Sequence, residues 1–102
     1  RGAGGEELSV ADSRYTIICE FRGGTYISQI VAQDELDAIR QWCAVIQVDK
    51  PIPRSSTHLA KAVRRDIEDG ERPTLLDGLA GVWCFSSLLG GDLVLANIVL
   101  TQ

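Results

Sequence analysis

Three cysteines, Cys19, Cys43 and Cys84, and a single histidine, His58, are the residues of this sequence best suited to nucleophilic chemistry. A thiol becomes a nucleophile when a base or positive charge favours its thiolate and substrate can reach it. Here all three thiols fall on or beside apolar stripes. A Cys–His pair needs one of them to meet His58, and Cys43 and His58 lie on what read as adjacent helices, with Arg40 close to Cys43 in sequence, so contact between those two is open. Motif-free cysteines in such positions read as small reduced hydrophobes. An odd, widely separated set offers neither a disulfide framework nor paired zinc spacing, although one Cys19–Cys84 bridge stays open. Reduced thiols point to a cytoplasmic setting. No catalytic residue is assigned, and the chain is read as a non-enzyme.

The carboxylates fall in two groups. Asp34, Glu35 and Asp37 suit the positive end of a helix. Asp66, Glu68, Asp69 and Glu71 interleave with Lys61, Arg64, Arg65 and Arg72, as on a solvated helix face. Neither group has the alternating ligands of a metal loop, and no metal or cofactor is expected. Lys50, Arg54, Lys61, Arg64 and Arg65 are the only basic concentration. They lack interleaved aromatics, and neighbouring acids dilute their field. With a formal net charge of −4, neither nucleic acid nor an anionic membrane is an expected partner. The longest apolar run near the end, residues 93–100, is too short to cross a bilayer as a helix.

These residues need a scaffold, and the patterning supplies one. The chain has 102 residues, 45% hydrophobic and 24% charged, which fits one domain with a single core rather than a disordered segment. Residues 1–13, rich in glycine at their start, read as a flexible tail, leaving 14–102 as the domain. Residues 15–22 and 25–32 alternate around Gly23-Gly24, the pattern of a β-hairpin. A glycine pair at the turn sets Phe21 against Tyr26, Cys19 against Ser28 and Ile17 against Ile30. One face then carries Tyr15, Ile17, Cys19, Phe21, Tyr26 and Ile30. Residues 34–47 read as a helix capped by Asp34, with Leu36, Ile39, Cys43 and Ile46 on one stripe and Trp42 beside it. After Pro51 and Pro53, a second helix runs to about residue 69 with Leu59, Val63 and Ile67 on one face, and Gly70 stops it. Residues 71–81 read as a loop, with room for a helical turn at Leu75, Leu76 and Leu79. Residues 82–89 and 92–100 repeat the hairpin around Gly90-Gly91, pairing Phe85 with Ala96 and Trp83 with Ile98.

The expected fold is therefore α+β. A four-stranded antiparallel sheet is built from two hairpins in ββααββ order, with both helices on one face. Strand order is left open. The second hairpin is apolar on both sides, so the sheet face away from the helices keeps Ile18, Ile27, Val82, Cys84, Leu88, Leu95 and Val99, with Asn97 among them. A contiguous apolar patch of that kind marks a protein-binding surface. The expected function is protein interaction, most simply as a homodimer, unless the tail or the 71–81 loop folds over this face. The alternative is a small-ligand pocket between helices and sheet, lined by Tyr15, Tyr26, Trp42 and Trp83.

Overall fold

The structure, a computed structural model, describes residues 12–102. The tail expected over residues 1–13 lies outside the described residues up to residue 11. Ser13, assigned to that tail, already belongs to the first strand.

Alternating side chains shape the first hairpin, β1 (Ser13–Phe21) and β2 (Gly24–Ala32). Its faces are those expected, but its turn falls one residue earlier. Arg22 and Gly23 form the turn, at φ 49° and 79°. The register therefore pairs Phe21 with Gly24, Cys19 with Tyr26 and Ile17 with Ser28. Two positive φ angles are what a tight primed turn requires. Arg22 tolerates its own through two contacts. Its Nε–H donates to Asp92 Oδ2 at 2.7 Å, and its guanidinium lies 4.8 Å from the Phe21 ring centre. Moving the turn by one residue shifts each partner by two, so every side chain keeps its face.

Asp34 caps α1 (Glu35–Asp49) by accepting the Asp37 N–H at 2.7 Å. Lys50 ends the helix in the left-handed region at φ 51°. The connection to α2 (Ser56–Glu68) is tied by Ser56, whose Oγ accepts the Ile52 N–H and donates to the Ile52 carbonyl. Ala38, Ile39, Trp42, Cys43 and Ile46 of α1, and Leu59, Ala60, Val63 and Ile67 of α2, are buried. They pack on the sheet face that carries Tyr15, Ile17, Cys19, Phe21, Ile30, Phe85, Val94, Ala96 and Ile98.

The segment expected to be loop contributes a further strand, β3 (Thr74–Leu75), which pairs with Trp83 and Cys84. Among the described residues the sheet therefore has five strands, not the four expected. Two residues are too few to show alternation, and Pro73 just before them suits the start of an edge strand. The second hairpin, β4 (Val82–Leu89) and β5 (Asp92–Leu100), turns at Gly90-Gly91 and pairs Phe85 with Ala96 and Trp83 with Ile98, as expected. All pairings are antiparallel and the order is β2-β1-β5-β4-β3. The two hairpins thus meet through β1 and β5 at the middle of the sheet.

Candidate functional site: the outer sheet face

Both helices cover one face of the sheet, and the opposite face gathers the residues expected to bind a partner. The registers place them in rows across the strands. Ile27 lies beside Ile18, Ile18 beside Asn97, Asn97 beside Cys84 and Cys84 beside Thr74. The flanking row on one side runs Gln29, Thr16, Val99, Val82, and that on the other runs Thr25, Glu20, Leu95, Ser86. Beyond them Leu88 pairs with Leu93. All eight residues of the expected interface, Ile18, Ile27, Val82, Cys84, Leu88, Leu95, Asn97 and Val99, therefore share this face. Leu93 and Val31 join them.

Ile27, Leu88 and Leu93 are 65%, 63% and 57% exposed, while Ile18, Val31, Val82, Leu95 and Val99 are half-buried among their neighbours. The strand registers set these residues beside one another across the face. Asn97 sits at the centre, half-buried, and among the described residues its side chain makes no hydrogen bond. The border is polar. At one end Gln29 Nε2 donates to Thr16 Oγ1, which donates to Thr101 Oγ1, and Arg14 Nη1 donates to the Gln102 side chain. At the other end stands the Arg22–Asp92 ion pair. An apolar centre with a hydrogen-bonded rim is the usual anatomy of a protein interface.

The four aromatics of the alternative ligand reading lie on the other side. Tyr15 and Trp42 belong to the buried core, and Tyr26 and Trp83 pack against it. Tyr15 and Trp83 stand with ring centres 6.0 Å apart at 57°. Burial, then the carboxylates of Glu35, Asp34 and Asp37, push the Tyr15 phenol above its usual range. Trp42 is fully buried, and among the described residues its indole N–H has no acceptor.

The thiols are all free. Cys19 faces the core and Cys84 the outer face, with β5 between their strands, so the Cys19–Cys84 bridge left open by the sequence is ruled out by geometry. Burial pushes Cys19 up to about 12. It pushes Cys43 up to about 11, against a smaller opposing pull from Arg64. Arg64 itself is bonded to the Gln47 side chain. Cys43 is fully buried whereas His58 is exposed, and among the described residues no hydrogen bond joins them. The basic residues are split between the α1–α2 connection, where Lys50 and Arg54 flank His58, and the exposed side of α2. Among the described residues no group of three His, Cys, Asp or Glu side chains could hold a metal ion, and no helix is long and apolar enough to cross a membrane.

Sequence reasoning missed the open edge of the sheet. Among the described residues β2 is an outer strand with β1 as its only neighbour, a fact hidden until strand order is known. No family model matches the chain, and neither a curated protein nor a solved structure matches it.

Proposed function

We propose that this domain is a non-enzymatic protein-interaction module that docks a protein partner, most simply a second copy of itself, against the outer sheet face. The observation that carries this reading is the set of Ile27, Leu88 and Leu93, each more than half exposed, in one patch with Ile18, Leu95 and Val99. Monomers seldom leave such a patch in water. Covering it gains roughly 25 cal/mol for each Å² of apolar surface removed from solvent. Asn97, central and with no side-chain hydrogen bond among the described residues, would fix the register of the contact. Three free thiols fit a reducing, cytoplasmic setting for that contact.

Leu95→Glu tests the proposal, because Leu95 lies on the outer face and outside the helix-covered core. Light scattering should show wild-type protein above monomer mass and the variant at lower mass, with the circular dichroism spectrum unchanged. A wild-type monomer at high concentration, with folding and solubility unaffected by Leu95→Glu, would remove the outer face as an interface.

A further inference from the structure

The two edges of the sheet are built differently. At one edge β4 is partly covered by β3, which is only two residues long, follows Pro73 and leads into a loop where Leu76 N–H donates to the Val82 carbonyl at 2.9 Å. At the other edge β2 runs nine residues, Gly-Thr-Tyr-Ile-Ser-Gln-Ile-Val-Ala, with an unbroken register against β1. It contains no charge, no proline and no bulge, the devices that normally keep an edge strand from pairing.

The direction of its free backbone groups follows from β1. Arg14 N–H donates to the Gln102 carbonyl at 2.7 Å, and the Arg14 carbonyl accepts the Thr101 N–H at 2.9 Å. Arg14 therefore turns both backbone groups away from β2. In an antiparallel pair such residues alternate with mutually bonded ones, and opposite residues behave alike. Arg14 pairs with Val31. So Val31, Gln29, Ile27 and Thr25 aim their N–H and C=O groups out of the sheet. Among the described residues no strand lies beyond β2, and no turn or loop backbone group bonds to these four.

We propose that a second copy of this chain adds at this edge, β2 against β2 in antiparallel register, giving one continuous sheet of twice the width. The edge is self-complementary. With a two-fold axis at Ser28, Thr25 meets Val31 of the other copy and Ile27 meets Gln29. Every outward N–H and C=O of the four residues then finds its mate, and no side chains of like charge come together. That matters for a chain whose net charge of −4 otherwise opposes self-association. A symmetric strand-to-strand contact is an isologous, closed interface, so it stops at two copies. It differs from the contact on the outer face: edge pairing extends a sheet, and face docking covers it.

The test is made in Leu95→Glu protein, where the face contact is removed. Sedimentation equilibrium should find a dimer. Adding Gln29→Pro, which deletes one outward N–H without touching the β1 ladder, should halve the mass. Hydrogen exchange on the unsubstituted chain is the second measurement and does not depend on the proline variant folding. The amides of Thr25, Ile27, Gln29 and Val31 should be protected at high concentration, and the protection should fall on dilution. A Leu95→Glu monomer at high micromolar concentration would overturn the proposal, as would a dimer that survives Gln29→Pro. So would exchange at these amides that is independent of concentration, whether fast or slow. An unchanged mass on Leu95→Glu alone counts against the outer face and leaves the edge contact standing.

Discussion

Burial governs the chemistry of the thiols. Cys19 and Cys43 lie in the core and keep their protons well above the ordinary thiol value of 9.0, up to about 12 and about 11. The unfolded chain releases those protons near 9.0, so above that pH it binds fewer protons than the folded chain. Their contribution to stability is complete below about pH 9 and is lost as pH rises towards the folded values. The urea midpoint should therefore fall between neutral and alkaline solution, and Cys19→Ala should flatten that fall. A midpoint that rises with pH above 9 would contradict the burial. Trp42 is the other informative residue. An unpaired buried donor costs about 1–3 kcal/mol, and among the described residues the Trp42 indole N–H is one. Trp42→Phe removes the donor together with part of the ring, and the two effects oppose. Urea unfolding should show a loss of about 1 kcal/mol or less, against about 3–5 kcal/mol for a truncation to alanine. A loss near the alanine value would mean that ring volume alone matters there. The apolar spacing of the helix placed Trp42 beside the core-facing stripe. It carried no information about the missing acceptor, because that depends on which main-chain groups surround the ring.

Among the elements, those with strong local periodicity were legible. Asp34 is the cap the sequence suggested, and Asp34→Ala should destabilise the domain by about 1 kcal/mol in chemical denaturation, as loss of a side-chain cap generally does. No change would mean that the Asp37 N–H is satisfied by other means. Both hairpins were visible from alternation around paired glycines. The first turn moved by one residue because Arg22, not Gly24, takes the positive φ angle, held by Asp92 some seventy residues away in sequence. Gly24 is instead the first residue of β2, where a Cβ would collide with the Tyr26 ring. Such long-range support is invisible to a local turn rule. β3 was missed for a different reason: its two residues gain their identity only from Trp83 and Cys84 alongside.

At the scale of the whole molecule, strand order was the missing fact. Alternation assigns each strand a buried and an open side, yet it does not say which strands meet. Once β1 and β5 pair, Ile18 comes beside Asn97 and the apolar residues of the two hairpins merge into one outer face. The same pairing leaves β2 outermost. That Ile18, Ile27, Val82, Cys84, Leu88, Leu95, Asn97 and Val99 share one face was legible because period two survives any register error of two residues, as the first hairpin shows. The edge was not legible, since its free backbone groups carry no side-chain mark.

Cys84 offers a direct reading of that face without any substitution. It is half-buried beside Asn97, while Cys19 and Cys43 are fully buried and protonated at neutral pH. It stands two strands in from β1 on the side away from β2, so pairing at the β2 edge leaves it untouched. The measurement is its alkylation rate by iodoacetamide as a function of protein concentration. If copies of the chain cover the outer face, the rate falls as concentration rises, and Leu95→Glu restores it to the dilute value. A Cys84 rate that is the same at every concentration, in wild type and in Leu95→Glu alike, would contradict the account.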